Sequence, residues 1–512
     1  MKDKKIRFHL LMIGANAMSK TRVAKTKKKN NKANLQEHFE RPDEQDVGAD
    51  VVLEKPIKPF AELRLEALDY SSRLVSVAPT PGISNWVQMG PVAAPNGQAL
   101  FGTGILVTGR ITSIVIGPTD ARIIYIGAAL GGVWKTIDGG STWNPTSDNE
   151  QSLAIGALAI DPSNHSVVYA GTGEANSSDS YYGAGILKTT NGGSTWTLVN
   201  HWEDPTVPTS GTFTGSNFAR IAINPVTSTT IFAASASGIF RSTDGGSTWI
   251  KMSNGTPSAP ATDVIINPSN TDIVYAAFNS NGIYQTTNAN ATTPVWNKLT
   301  SGLPTTGASR ISLSISPSSP QVVYALMSQN GDFINWFYNT TDDGNTWNSI
   351  ALPNGNIGGH GDYNLNIAVD PNTPDIVYLG ATSLWKASCD ATTGTWNFTD
   401  IGGNIHPDNH AFTFDPKNSS VIYVGNDGGV YKSTDGGTTW IDSINKGLCI
   451  TQFEFLDQHP TSDAFVMAGT QDNGTQQFRN SPVFYHAAYG DGGYVAIDQT
   501  QPNNMIHGHL GR

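Results

Sequence analysis

The chain has 512 residues with 53 glycines, 28 prolines and only 14% charged residues, a length that can bury a large core and a composition rich in turns. Its formal charge of −11 is uneven: residues 1–32 hold 11 Lys/Arg against one acid, which leaves 20 basic and 41 acidic side chains in residues 33–512. An acidic, lysine-poor body argues against nucleic acid as a partner, because duplex affinity rests largely on neutralising phosphates.

At the start, Lys2, Lys4, Lys5 and Arg7 precede an apolar stretch from Phe8 to Met18 that contains Ala15-Asn16-Ala17. That order predicts an export signal and a secreted or cell-surface protein. The second basic run, Lys20 to Lys32, also suits a disordered basic leader. Residues 19–60 are charged, Asn/Gln-rich and without period, so 1–60 reads as a leader and linker. Residues 61–104 form a lead-in, with a short helix expected over Ala61–Leu68 and a lone strand at Trp86-Val87-Gln88-Met89-Gly90-Pro91 suited to closing a ring. No apolar run approaches the ~18 residues of a membrane-spanning helix. Cys389 and Cys449 fall in different repeats and are expected as reduced thiols.

From residue 105 one unit recurs. An alternating apolar strand runs into an Asx- or Ser-Pro turn, then a β-branched strand, a third strand and a hairpin. The hairpin is the clearest element: Thr136-Ile137-Asp138-Gly139-Gly140-Ser141-Thr142-Trp143, then Thr189–Trp196, Ser242–Trp249, Thr340–Trp347 and Ser433–Trp440. Worn copies end at Trp296 and Trp396. Four strands in about forty to fifty residues make one propeller blade, which buries both faces only when stacked around an axis. The sequence therefore predicts an all-β fold, a β-propeller of four-stranded blades numbering seven or more. Seven blades occupy 105–450; an eighth and the start of a ninth occupy 451–512. Because the ninth breaks off, further domains are expected beyond Arg512, or closing strands from elsewhere.

Within each hairpin the Asp and the Ser/Thr two residues earlier can bond loop amides, while glycine supplies positive φ. The motif resembles the Asp-box of bacterial neuraminidase repeats, where it is a structural fold-back. That resemblance implies scaffold roles for Asp138, Asp244, Asp342 and Asp435. Arg110, Arg220 and Arg310, each just before an inner strand, invite comparison with a sialidase arginine triad; the Arg-Ile-Pro motif of that family is absent.

Residues 105–512 as a whole resemble secreted propellers related to sortilin-type receptors and to family 74 glycoside hydrolases. The resemblance rests on Gly131-Gly132-Val133-Trp134-Lys135, Gly171-Thr172-Gly173-Glu174 and Asn426-Asp427-Gly428-Gly429-Val430. In those hydrolases two aspartates flank the sugar as acid and base. One matches Asp491 in Gly490-Asp491-Gly492-Gly493; at the other position this chain has Ala129.

Outside the hairpins, polar residues crowd the last third. His406, Asp408 and His410 lead into an inner strand, where alternation would point all three one way, suiting a divalent cation, sugar hydroxyls or simple strand capping. Asp427, Gln471-Asp472-Asn473 and Asp491 occupy equivalent strand ends around one channel mouth. An insertion carrying Glu174, Tyr181 and Tyr182 offers rings that stack on sugars or cover a neighbouring blade. Two functions follow from these residues. The first is an exported module binding a polysaccharide or protein ligand at the mouth. The second is a glycoside hydrolase using Asp491 with Asp427 or Asp408.

Overall fold

The computed structural model describes residues 90–175, 181–205 and 209–509, with positions 64, 68 and 69. The basic leader, the linker and residues 86–89 of the strand expected at Trp86–Pro91 lie outside the described residues, while Gly90 and Pro91 are described and form no strand.

The all-β expectation holds. Antiparallel sheets follow one another along the chain, six of them four-stranded. Their first strands are Ile111–Ile116, Ile155–Asp161, Phe218–Ile223, Ala261–Ile266, Ala308–Ile315, Asn366–Val369 and Asn409–Asp415. Each of these strands packs against the next, and the seventh returns to pack on the first. Of these seven sheets, two depart from four strands. The third adds a hairpin, His201–Asp204 with Thr209–Thr212, at its outer edge. In the seventh, a bridge from Ile441 to Lys432 takes the place of a fourth strand.

The core lies between sheets, where an isolated sheet would leave its face exposed. Ile111 and Ile114 of the first sheet share a cluster with Tyr423 and Val430 of the seventh, and Tyr125 and Val133 share one with Ile155 and Val168. Polar contacts join the first and seventh sheets as well: Trp143 Nε1 donates to Ile444 O at 2.8 Å, and Lys417 Nζ donates to Thr119 O at 2.7 Å. Near the axis, a side chain of one first strand accepts a backbone N–H from the next. Ser113 accepts from Leu158 at 2.9 Å, Asp263 from Leu313 at 2.8 Å and Ser314 from Val369 at 2.9 Å.

The eighth sheet begins at Phe453–Gln458 and the ninth at Gly492–Ile497. Asp457 Oδ2 accepts Ile497 N at 2.6 Å, the same device that joins neighbours in the first seven. Ahead of everything, the hairpin Ala94–Ala99 and Gly102–Val107 lies over the sixth and seventh sheets, through Phe101 N to Gly403 O and Thr108 N to Gly428 O. It reaches the eighth through Val92 N to Pro482 O.

The repeated hairpins are scaffold. Asp138 Oδ1 accepts the Thr136 hydroxyl at 2.7 Å and the Ser141 and Thr142 amides at 2.9 Å each, while Oδ2 accepts the Thr142 hydroxyl at 2.7 Å. Asp244, Asp342 and Asp435 repeat this pattern. The hairpin in turn serves the preceding sheet, whose lysine lies over a tyrosine ring and caps the glycine carbonyl: Lys135 to Gly192 O at 2.8 Å, Lys188 to Gly245 O at 2.6 Å.

These carboxylates make the fold acid-sensitive in a defined window. The hydroxyls of Thr142 and Thr439, with the neighbouring amides, hold Asp138 and Asp435 at about 2, below the ordinary 3.8. A carboxylate with a depressed folded pKa stabilises fully above its unfolded value and loses that contribution as pH falls through the folded one. Urea titrations at falling pH are expected to show stability dropping between about pH 4 and 2, less steeply in an Asp138→Asn/Asp435→Asn variant. Equal slopes in the two proteins would refute this role.

Candidate functional site

The turns that begin the inner strands and end the second strands meet at one mouth of the ring. Arg110, the residue before Ile111, is 2% exposed and forms the hub. Its Nε lies 2.8 Å from Glu174 Oε1 and its Nη2 donates to Glu174 Oε2 at 3.0 Å. Nη1 donates to the Tyr363 hydroxyl at 2.5 Å, which donates onward to Asp427 Oδ2 at 2.7 Å. His410 Nε2 sits 2.7 Å from Asp427 Oδ1.

Above this layer lies the turn after Phe465–Thr470. Asp472 takes φ +55 there, which lifts its carboxyl off the strand direction and brings Oδ2 to 3.9 Å from Arg110 Nη1. Asn473 anchors the turn by donating to Asp427 O at 2.8 Å, and His406 Nε2 faces Asp472 O at 3.1 Å. Asp491, just before Gly492–Ile497, stands near Asp472 and raises its pKa.

Burial decides the protonation of this cluster. Desolvation raises Asp427 well above the ordinary carboxylate value, with Arg110 opposing. Desolvation, then the charges of Asp427 and Asp491, raises Asp472 to about 10. Burial, reinforced by the Arg110 charge, lowers His410 to about 4, and burial also lowers His406. At neutral pH the site therefore holds an Arg110–Glu174 ion pair, neutral histidines and an Asp472 carboxyl that retains its proton. A protonated carboxyl both donates and accepts, as does a sugar hydroxyl.

The structure thus brings together Glu174, His410, Asp427, Asp472, Asn473 and Asp491, with His406 behind them. Gln471 joins through its amide, which donates to Asp472 Oδ2 at 3.3 Å. Tyr181 and Tyr182 stand apart as exposed residues, 40% and 64% accessible.

The shared site expected for His406, Asp408 and His410 does not form. The strand starts only at Asn409, and Asp408 adopts φ +63, so alternation does not apply. His406 faces Pro407 O and Asp472 O, Asp408 accepts from Asn364 Nδ2 at 2.5 Å, and His410 faces Asp427. Among the described residues no group of three or more His, Cys, Asp or Glu converges on a metal position.

The three arginines likewise have separate commitments. Arg220 lies 3.9 Å from Asp263, and Arg310 donates to Asp362 O at 3.0 Å and Tyr363 O at 2.9 Å. The sequence marked Tyr363 through His360-Gly361-Asp362-Tyr363 ahead of an inner strand and Arg110 as one of three arginines before such strands, without showing that the two meet; Arg110 immediately precedes Ile111, and Tyr363 lies three residues before Asn366. Below the mouth a cavity of about 380 Å³ runs down the axis, with Thr112, Arg220, Asn366 and His410 on its walls.

No protein-family model matches the chain. It is 26% identical over 360 residues to a xyloglucanase of Hypocrea jecorina (strain QM6a), covering 65% of this chain and 38% of that protein. A xyloglucanase of Paenibacillus sp is 24% identical over 357 residues, covering 65% of this chain and 31% of that protein. The chain thus spans well under half the length of the curated relatives it matches. The crystal structure of the GH74 xyloglucanase from Xanthomonas campestris superposes with a TM-score of 0.54 at 16% identity, over 80% of this chain and 72% of that one. That likeness supports the β-propeller fold. No helix among the described residues is long and apolar enough to cross a membrane.

Proposed function

We propose that this chain is the carbohydrate-recognising part of an exported, polysaccharide-binding propeller, with the ligand held at the channel mouth by Asp472 and Asp491. The observation that carries the reading is the Asp472 carboxyl, 22% exposed at the rim of an otherwise buried network and 3.9 Å from Arg110 Nη1, which burial with Asp427 and Asp491 nearby raises to about 10. Neutral donors and acceptors on a rigid support suit hydroxyl recognition, in which each polar group must find a partner once water is displaced. Xyloglucan is the first ligand to try, because the curated relatives are xyloglucanases.

A second reading, hydrolysis, is favoured by those names and by a protonated acid beside a second carboxyl. Two features weigh against it. Ala129 stands where the resemblance places one catalytic aspartate. The Asp491 carboxyl lies close enough to Asp472 to raise its pKa, so the two form a proton-sharing pair and not an acid set against a free base.

Calorimetry and affinity electrophoresis with xyloglucan and a panel of other polysaccharides are expected to show binding that Asp491→Asn weakens, with no reducing ends released. Release of reducing ends by the wild type, abolished in Asp491→Asn, replaces binding with hydrolysis. Absence of binding across the panel sinks both readings.

A further inference from the structure

The hairpin Ala94–Ala99 and Gly102–Val107 touches the backbone beside three residues of the mouth. From its turn, Leu100 N donates to Ile405 O at 2.9 Å, next to His406. Just past its second strand, Thr108 N donates to Gly428 O at 2.8 Å, next to Asp427. The third contact is made by a side chain: Gln98 Oε1 accepts Gly490 N at 3.1 Å, next to Asp491 and 392 residues away in the chain. One short segment therefore braces turns of the seventh sheet and the turn that opens the ninth.

Local structure aims Gln98 at that last turn. Strand pairing shifts register on either side of Gly97, where a Cβ would lie 2.4 Å from Val107 Cγ1, and such a bulge re-aims the residue beside it. The strand Ala94–Ala99 also packs along Tyr485–Ala488, the last strand of the eighth sheet. Gly490 takes φ +80, which glycine adopts without strain, in the turn that leads from Ala488 into Gly492–Ile497. Close backbone approach fixes where the turn ends: a Cβ on Gly492 would lie 2.2 Å from the carbonyl oxygen of Gly474, two residues after Asp472. Gln98 is half-buried, so its bond to Gly490 is partly shielded from water.

Resting on the reading of the mouth as a saccharide site, we propose that Gln98 is a positioning residue, which holds the Gly490-Asp491 turn so that the Asp491 carboxyl faces Asp472 and both meet the ligand. It acts through the backbone of Gly490 and not on the ligand itself. Around the Asp472 turn stand Asp427, Asp491 and Arg110, with His406 at the Asp472 carbonyl and His486 beside Asn473. Gln98 is bonded to the turn of one of them, Asp491. Its loss lets that turn relax and draws Asp491 away, which weakens both ligand binding and the hold of Asp472 on its proton.

The test compares wild type, Gln98→Met and Gln98→Glu. Methionine keeps the length of the side chain and removes the acceptor, whereas glutamate keeps an acceptor oxygen at the same reach. Calorimetry with xyloglucan is expected to show Gln98→Met binding roughly tenfold more weakly, the equivalent of about one hydrogen bond, and Gln98→Glu binding as wild type does. Urea denaturation across the pH range adds a readout that needs no ligand and verifies that the variants fold. Asp472 is raised to about 10, in part by Asp491, so wild-type stability falls as pH rises toward that value. In Gln98→Met the fall is expected to end about one pH unit earlier. An unchanged interval in Gln98→Met, whatever its loss of stability, makes Gln98 a merely structural contact and overturns the proposal. Wild-type affinity in Gln98→Met also overturns it, and the mouth reading stands if Asp491→Asn still weakens binding. A wild type that binds neither xyloglucan nor the other polysaccharides of the panel removes the reading of the mouth, and the pH interval then decides by itself whether Gln98 positions Asp491.

Discussion

Replacing Arg110 by Met is expected to destabilise the protein by about 3–5 kcal/mol, the loss typical when one partner of a buried ion pair is removed. Glu174 is 1% exposed and receives both Nε and Nη2 of that guanidinium. Without it the Glu174 carboxylate is left buried beside Asp427, whose own charge Arg110 also offsets from 4.0 Å. The Tyr363 hydroxyl loses its donor as well. Methionine keeps much of the volume, so the loss reports charge and hydrogen bonding and not a cavity. Urea denaturation of Arg110→Met and of Arg110→Met/Glu174→Leu separates the two contributions. The double variant is expected to recover much of the stability, because a buried pair replaced by apolar groups is often nearly neutral. A single variant within about 1 kcal/mol of wild type would show that the hub carries little of the fold's stability.

Asp472→Asn is expected to act in the opposite direction, raising stability by about 1–3 kcal/mol at neutral pH while removing ligand binding. The sign follows from where the proton sits. Asp472 is raised to about 10 in the folded protein against an ordinary 3.8. Below the unfolded value both states hold the proton, and the residue has no pH-dependent effect. Between the two values the unfolded chain has released a proton that the folded chain retains, so stability falls as pH rises across that interval. Asparagine has no such proton, so the advantage of the variant grows from about pH 4 upward and levels off near pH 10. The gain stays well below the full shift because solvent reaches the side chain, 22% exposed at the rim. Parallel denaturation of the two proteins from acid to alkaline pH checks it. A variant less stable than wild type at neutral pH would mean that Asp472 is ionised in the native site, held as a carboxylate by Arg110. A variant that keeps full affinity for the polysaccharide would remove Asp472 from the binding site.

Together these substitutions describe a site whose layers differ in purpose. The lower layer, Arg110 with Glu174, Tyr363, Asp427 and His410, is an internally satisfied support. The upper layer, Asp472 with Asp491, sets a proton-bearing carboxyl beside a second one at the rim, where a ligand can use both.

Much of this was legible in the chain. The alternating strands, the Asx-Pro turns and the Thr-Trp hairpins are local patterns of period two with glycine punctuation, and they gave the all-β fold of repeated, mostly four-stranded sheets. The hairpin aspartates were also readable as scaffold, since Asp138 and its counterparts bond only to residues within four positions. Asp427, Asp472 and Asp491 stood out as polar residues at strand ends in successive units, and the fold does gather them. The His406, Asp408 and His410 grouping failed because it assumed a strand from His406, three residues before one begins at Asn409.

By itself, then, the sequence determined the repeating sheet, the hairpins that lock one sheet to the next, and the ends of strands at which chemistry would have to reside. Those features depend on contacts within a few residues, which the order of side chains specifies directly. Only the tertiary structure decided that Arg110 meets Glu174 across 64 residues, that Tyr363 bridges it to Asp427, and that Asp472 keeps its proton. Closure of the sheets brings those groups together and excludes the water that would otherwise have kept each one ordinary.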